Sequence, residues 1–576
     1  MKITQTRRIS QVFFFILFVW FCVVSTVGEK FQQIRGWPVN WFLQLDPLAA
    51  IGTALTTHTL YRGLLWALLT ICLTIILGRF FCGWVCPFGS LHHFTGYLGN
   101  RKKPAAQKIR LNKYRKAQCI KYIVLVFVLA MAAFPSIAVT LQTGLLDPLP
   151  LLTRSFNLAL LPIVDVASAA ERFYEGAWLI LAIFLTAVFL NLVIPRFYCR
   201  FICPLGALFG VLDRFAIWRI GQNQSECSQC KLCEKSCEGG CEPGGNIMIS
   251  ECVLCLNCRD DCKDEIISYQ MQPSLAGEIT DPDISRRGFV LSLAGGILAV
   301  PAVRLSNKLG GNWYHKVIRP PGALAEEEFL SRCIKCGQCM RICPTNVIQP
   351  AGIDGGLENL WTPVLNNRIG SSGCQLNCTA CGQVCPTSAI RPITLSEKSG
   401  IGEFAEAGPI RLGTAFVDRN RCLPWAMDKP CIVCQENCPV SPKAIYTQEC
   451  FNTVRGGLLT VKNAADKKIE TVETLAAGAY ATGDYYCANE AGERLKIAAN
   501  TENSLELTDG GKLWKIPGQG GKIEVQVLLQ RPFIDIEKCI GCGICEHECP
   551  VSGKRAVRVS AEGETRSINR KLLLKR

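Results

Sequence analysis

Cys227, Cys230, Cys233 and Cys237 are followed by Cys252, Cys255, Cys258 and Cys262, two runs that share the spacing C-x2-C-x2-C-x3-C. Three closely spaced thiolates hold three corners of a 4Fe-4S cube, and in two-cluster ferredoxins the fourth cysteine of each run crosses to the other cube. Paired zinc knuckles compete with this reading, but zinc sites rarely use two adjacent sets so spaced. Neither run has the usual proline after its last cysteine. Further along, Cys333, Cys336, Cys339 and Cys343 precede Pro344; Cys374, Cys378, Cys381 and Cys385 precede Pro386; Cys539, Cys542, Cys545 and Cys549 precede Pro550. An irregular group places Cys422 before Cys431, Cys434, Cys438 and Pro439. Cys422 is assigned as its fourth ligand, with Cys450 as competitor. Six groups of four predict six 4Fe-4S clusters.

Four more cysteines lie in a stretch written twice, RFFCGWVCPFGSL from Arg79 to Leu91 and RFYCRFICPLGAL from Arg196 to Leu208. Cys82 and Cys86, like Cys199 and Cys203, stand four apart and share one face if a helix continues that far. Each copy resembles the closing half of a cluster motif. Brought together by the duplication, the two halves could present four thiolates to a further cluster or metal ion. A redox-active thiol pair is one alternative; cysteines that merely pack while Pro87 and Pro204 turn the chain are another. The remaining six, Cys22, Cys72, Cys119, Cys241, Cys450 and Cys487, read as structural, since free cysteine usually behaves as a small buried hydrophobe.

The elements that must position these thiols are largely apolar. Hydrophobic residues make up 49% of the chain, and apolar runs cover residues 10 to 28, 60 to 80, 120 to 142, 176 to 195 and 288 to 305, most near the ~20 residues needed to cross a bilayer. Grouped cysteines in a long chain do not fit a secreted disulfide framework. There is no Cys-x-x-Cys-His, so c-type haem is not expected. The net charge of +15 is concentrated beside apolar segments, as at Arg101, Lys102, Lys103, Lys108, Arg110, Lys113, Arg115 and Lys116, a pattern that orients a membrane protein and gives no reason to expect nucleic acid. Lys2, Arg7 and Arg8 before the first run predict an uncleaved anchor that starts in the cytoplasm.

On this topology both cysteine repeats face the cytoplasm, and the loops 29 to 59 and 143 to 175 lie outside. Each outer loop carries Leu-Asp-Pro-Leu, with Asp46 and Asp147. The internal sequence Ser285, Arg286, Arg287, Gly288, Phe289, Val290 resembles a twin-arginine export signal. An ordinary anchor obeying the positive-inside rule is the alternative, and either one sends the chain beyond the fifth apolar run outside. Alternating stretches such as KIEVQVLL suggest a small β-rich insertion. The expected architecture is a polytopic α-helical membrane domain of four helices plus a fifth linking helix, joined to α+β ferredoxin-like 4Fe-4S domains. Its parts are a membrane domain at 1–220, a cytoplasmic two-cluster module at 221–275, the linking helix at 276–310, and a periplasmic four-cluster domain at 311–576 with the insertion at about 450–535.

The first part, with its two Cys-x3-Cys-Pro elements and two-cluster module, resembles the NapH-type membrane quinol dehydrogenases, which are related to the regulator NosR. From Ser285 onward, RPPGALAEEEFLSRCIKCGQCMRICP and the further cluster motifs resemble the NapG-type exported ferredoxins, as if two partners were fused. The resemblance implies a bacterial inner-membrane protein that oxidises a quinol, menaquinol or a relative, from the membrane quinone pool and delivers electrons to a periplasmic reductase or cytochrome. A redox regulatory or metal-site maturation role is the alternative that the NosR relationship permits. Proton acceptors near the quinone would come from Asp46, His58, Asp147, Glu171 and Glu175 on the outer side, although Asp-Pro most often just starts a turn. The two groups of clusters flank a hydrocarbon core of ~30 Å, too far for one electron hop. A bound quinone or a cluster at the duplicated motif could bridge it, or the inner module could be a separate entry for cytoplasmic electrons.

Overall fold

The computed structural model describes residues 2–25, 38–133, 141–164, 172–223, 227–309, 317–353, 356–465, 467–508 and 517–566. Packing gathers them into two units. The first comprises Met1–Ser371, Asn377–Ile410 and Arg566–Ile568; the second is formed chiefly by Ser372–Leu376 and Arg411–Thr565. The division falls inside the stretch expected as one outer domain.

In the first unit, helices occupy all five apolar runs. We label α1 (Ile3–Val24), α2 (Pro47–Thr57), α3 (Trp66–Leu77), α4 (Pro87–Asn100), α5 (Ile120–Ala133), α6 (Pro148–Ser155), α7 (Ala177–Phe189), α8 (Pro204–Leu212) and α9 (Arg286–Leu309). Among the described residues three stretches are long and apolar enough to cross a membrane, Ile3–Val24, Ala105–Ala133 and Arg286–Val303. Arg62–Leu77 and Ala177–Leu192 are shorter apolar helices. The expected four-plus-one set is therefore three full-length helices and two short ones. The physical reason lies at the cysteine repeats. α3 stops at Gly78, whose φ of 77° no side-chain-bearing residue adopts easily, and the helix after Leu192 gives way to Pro195 and a left-handed Arg196. Broken backbone at such depth is tolerated only where protein buries it. Here it is buried: Arg79 and Arg196 are 2% and 1% exposed.

Both Asp-Pro elements start helices. Proline preorganises the first turn in both; Asp46 also caps its helix, Oδ1 accepting from the Leu48 and Ala49 amides at 2.9 and 3.3 Å, whereas Asp147 stands at the matching position before α6 and makes no side-chain capping hydrogen bond. α9, which carries the Arg-Arg sequence, packs on α5 through Gly296. A β-carbon there would come within 2.6 Å of the Phe127 carbonyl. The inner cysteine runs are enclosed by an antiparallel pair, Arg219–Gln222 with Ile267–Gln270, and the first outer runs by Ile348–Pro350 with Pro363–Leu365.

The second unit has its own pair, Thr414–Val417 with Val557–Ser560, and a six-stranded closed barrel. Its strands are β1 (Ile445–Ala465), β2 (Lys468–Thr471), β3 (Tyr485–Asn489), β4 (Arg494–Asn500), β5 (Ser504–Leu507) and β6 (Lys522–Ile534), in the order β3-β4-β5-β2-β1-β6 with β6 returning to β3. The alternation in KIEVQVLL is that of β6: Ile523, Val525, Val527 and Leu529 are fully buried, and Cys487 and Leu505 fill the interior with them. Closure removes the free edges that a β-rich insertion would otherwise expose. The TDGGK turn runs into 509–516, outside the described residues.

Candidate metal centres

The cysteine runs do not form six sets of consecutive residues; they exchange members. In the inner module Cys237 lies within electrostatic reach of Cys258 and Cys255 as well as of its own neighbour Cys233, which Cys262 also faces. In the first unit Cys385 stands with Cys333, Cys336 and Cys339, and Cys343 with Cys378. In the second unit Cys549 joins Cys422, Cys431 and Cys434, whereas Cys438 joins Cys539, Cys542 and Cys545. While Cys438 lies near the other set, Cys422 lies near Cys431, Cys434 and Cys549. Its competitor Cys450 lies in β1, paired with Leu529. Cys374 sits in the second unit, where its amide donates to the Cys542 carbonyl at 2.8 Å. Cys241, read as structural, stands apart from Cys22, Cys72, Cys119, Cys450 and Cys487: its Sγ is 3.4 Å from that of Cys237, and it also faces Cys252. Pro243, close behind Cys241 as a proline is behind the last cysteine of the outer runs, was the available signal.

The loops fit a cluster in a way that spacing alone does not show. In all four C-x2-C-x2-C loops the second residue after the first cysteine and the first after the second cysteine have positive φ: Gln229 and Lys231, Leu254 and Leu256, Lys335 and Gly337, Gly541 and Gly543. Two left-handed residues curl the chain around a common centre. Five of the eight are not glycine, and left-handed backbone is costly for them. Backbone amides are turned onto sulfur as well, from Ile390 to Cys385 at 3.5 Å and from Ala415 to Cys539 at 3.4 Å. Among the described residues no three Cys, His, Asp or Glu side chains close on a point as one chelated ion requires.

The duplicated elements meet. Cys86 is within electrostatic reach of Cys82 and Cys199, and Cys203 of Cys199, Cys82 and Cys86. The expected shared helix face does not form: Phe81–Val85 is a single π-helical turn and Cys86 is extended. Instead the second cysteine of each copy caps the next helix, its sulfur accepting from the Gly89 amide at 3.4 Å or the Gly206 amide at 3.1 Å. A helix N-terminus favours a thiolate. The arginines exchange places across the pair. Arg196 Nη1 donates to the Cys82 carbonyl at 3.2 Å, and a β-carbon on Gly206 would meet Arg79 Nη2 at 3.4 Å. Both also hold the inner module, Arg79 through the Ser250 carbonyl and Arg196 through Glu238 Oε2 at 2.7 Å. Burial alone would raise the Glu238 pKa; Arg7, His93 and Arg196 around it hold it well below the usual carboxylate range.

Contacts continue from this site both ways. Towards the inner module, Gly83 lies so near the Val253 carbonyl that a β-carbon would stand at 2.2 Å, and Trp84 Nε1 donates to the Leu254 carbonyl at 3.0 Å. Towards the outer runs, Tyr198 faces Cys199, Cys203, Asp147 and Arg154. Arg154 in turn faces Cys336 and Cys333 and donates to the Lys335 carbonyl at 3.0 Å. A β-carbon on Gly144 would stand 2.0 Å from the Ile334 carbonyl. Cys86, Cys203 and Cys336 belong to one hydrophobic core. Asp46 and Asp147 face one another within it, fully buried, whereas His58 is exposed at the end of α2. Glu175 is tied to the outer module through Asn366 at 3.2 Å, and Glu171 lies outside the described residues. Tyr198, Arg154 and His93 were not singled out by sequence; Tyr198 could have been, as the residue before a motif cysteine.

One family model, described as a 4Fe-4S binding domain, matches residues 59–105 and again 176–221, the segments that hold Cys82, Cys86, Cys199 and Cys203. Two further models with that description match 329–349 and 530–551. The chain carries 4Fe-4S binding domains. Among similar proteins, an uncharacterized protein of Methanocaldococcus jannaschii is 28% identical over 270 residues, 46% of this chain and 87% of that protein. The ferredoxin-type protein NapH of Escherichia coli is 26% identical over 280 residues, 46% of this chain and 87% of NapH. The regulatory protein NosR of Pseudomonas aeruginosa is 25% identical over 242 residues, 39% of this chain and 31% of NosR. No solved structure matches the chain. With these relatives and domains, the chain is an iron–sulfur protein of electron transfer with helices suited to a membrane.

Proposed function

We propose that this protein is a quinol dehydrogenase of the bacterial inner membrane, a fusion of NapH-like and NapG-like parts, which passes electrons from the quinone pool to a periplasmic reductase or cytochrome. The inner two-cluster module is cytoplasmic and the runs after α9 are periplasmic. The ligand sets follow the exchange of cysteines between runs: Cys252, Cys255, Cys258 with Cys237; Cys227, Cys230, Cys233 with Cys262; Cys333, Cys336, Cys339 with Cys385; Cys422, Cys431, Cys434 with Cys549; Cys539, Cys542, Cys545 with Cys438. Cys343, Cys378 and Cys381 supply the sixth. Cys82, Cys86, Cys199 and Cys203 hold a seventh centre. Bound in these sets, iron–sulfur clusters supply one-electron chemistry.

The observation that carries this reading is the single packed core that contains thiols of the duplicated site and of the first outer run, with the inner module clamped on the same site by Arg79 and Arg196. That continuity supports passage through the membrane domain without a gap of bilayer thickness. The chain's own contribution is to bury the sets, aim amides at sulfur and place arginines beside thiolates, all of which tune potential. Similarity to a protein named as regulatory favours a second reading, a redox regulator or metal-site maturation factor.

The test is anaerobic purification with iron and sulfide analysis, then quinol addition while paramagnetic resonance follows the clusters. About 28 iron atoms are expected for seven cubanes, with the outer clusters reduced at turnover rates. Quinol that leaves every cluster oxidised overturns the dehydrogenase and favours the regulator.

A further inference from the structure

The outer candidates Asp46 and Asp147 are sealed in the core, yet a different part of the membrane domain is open. A cavity of about 410 Å³ lies between α1 and α4, lined by Val12, Phe15, Leu91, Phe94 and Tyr97, with Gln11, Ser90 and His93 at its polar side. It falls within the ~300–1,000 Å³ range of small-molecule sites. A second cavity of about 390 Å³ shares Arg8, His93 and Tyr97 with it and continues past His92 to Glu238.

The two ends of this cleft differ in chemistry. At the mouth, Val12 of α1 and Phe94 of α4 are exposed, and Ile9, Phe13, Ile16 and Leu98 of the same two helices are exposed as well, an apolar surface suited to lipid. At the neck, His93 Nε2 lies 3.1 Å from Glu238 Oε1 and 3.2 Å from Arg7 Nη2. Beyond it, His92 lines the second cavity, fully buried, and its Nε2 has no hydrogen-bond partner. The walls touch the duplicated site directly: Gln11 Nε2 donates to the Gly83 carbonyl at 2.8 Å, and Ser90 Oγ to the Cys86 carbonyl at 3.1 Å.

A ligand for this cleft needs a flat apolar body, a tail that can remain in lipid, and a polar oxygen for the histidine side. We infer that the cleft between α1 and α4 binds the ring of an isoprenoid quinone, with a ring oxygen at His93 and the tail leaving past Val12 and Phe94. The inference rests on the quinol dehydrogenase reading and gives it a location on the inner side, away from Asp46, Asp147 and His58. A lipid acyl chain could fill the apolar half but has nothing to offer His93.

The test uses the full chain, purified anaerobically in detergent, and measures binding of a short-tailed naphthoquinone by equilibrium dialysis, with iron content as the check on folding. Val12→Trp blocks the mouth at an exposed position, and His93→Ala removes the polar neck while Glu238 keeps Arg7 and Arg196. Both should raise the dissociation constant at least tenfold with iron unchanged. If the unaltered chain binds the naphthoquinone and both variants bind it equally well, this location is wrong and the dehydrogenase reading stands. If only Val12→Trp weakens binding, the cleft is an acyl-chain groove and the inference fails. If the unaltered chain binds no quinone, both fall together.

Discussion

Arg196 Nη1 donates to the carbonyl of Cys82 at 3.2 Å, so the arginine of one repeat closes over the cysteine turn of the other. The duplication is therefore more than two similar sequences. Each copy is completed by its twin, and two pairs of thiols more than a hundred positions apart along the chain meet at one site.

Replacing Cys86 and Cys203 together by serine should remove one centre and leave the rest. Iron is expected to fall by about four atoms if that centre is a cubane, and the resonance signals of the ferredoxin-type sets should persist. Unchanged iron would show that these thiols hold no cluster.

The barrel gives a clean control for the irregular group. Cys450 is bonded into β1 opposite Leu529, so Cys450→Ser should retain full iron. Cys422→Ser should lose one cluster, because it stands with Cys431 and Cys549. Iron analysis of the pair decides the assignment, and the reverse pattern would restore Cys450 as the ligand.

Cys241 lies 3.4 Å from Cys237, near enough to replace it. Single Cys237→Ser or Cys241→Ser variants should each keep the inner cluster with altered resonance, and the double variant should lose it. Loss in Cys237→Ser alone would make Cys241 a bystander.

Two glycines are places where the modules touch backbone to backbone. Gly83→Ala would drive a β-carbon against Val253, and Gly144→Ala against Ile334. Overpacking of this kind costs about 1–3 kcal/mol. Thermal unfolding should show both variants destabilised, and quinol reduction should reach fewer clusters in each. Wild-type behaviour in both would mean that these contacts can relax freely.

Glu326 offers a pH test. Burial alone would raise its pKa, but Arg319 at 2.6 Å and Arg566 at 2.8 Å hold it at about 2 against an ordinary 4.5. A depressed carboxylate stabilises the fold above its ordinary pKa and loses that contribution as pH falls towards the folded value, here worth about 3 kcal/mol at neutral pH. Glu326→Gln should therefore lower the urea midpoint at pH 7, with the gap shrinking below about pH 4.5. A gap that does not change with pH would place the effect in shape and not in charge.

Much of this was legible because cluster motifs are local. Spacings of two and three residues mark Cys333 to Cys343 wherever they fold, and the copied sequence around Cys82 and Cys199 announces its own pairing. Hydropathy was a poorer guide. The run from 60 to 80 reads as one crossing, yet the helix ends at Gly78 because the chain must break to present Cys82. Asp46 read as a proton acceptor, whereas its visible work is to cap α2. The contacts of Arg154 with Lys335 and of Gly83 with Val253 join residues about 170 to 180 positions apart, and no local pattern encodes such a meeting.

The left-handed residues of the cysteine loops bear on the life of the protein in a cell. Gln229, Lys231, Leu254, Leu256 and Lys335 hold backbone conformations that cost of order 1–3 kcal/mol each, and the bonds from sulfur to iron are what can offset them. A chain made during iron starvation lacks that offset. It should open first at these loops and become a substrate for quality-control proteases, so the amount of protein in the membrane would follow the iron supply even with its transcription held constant.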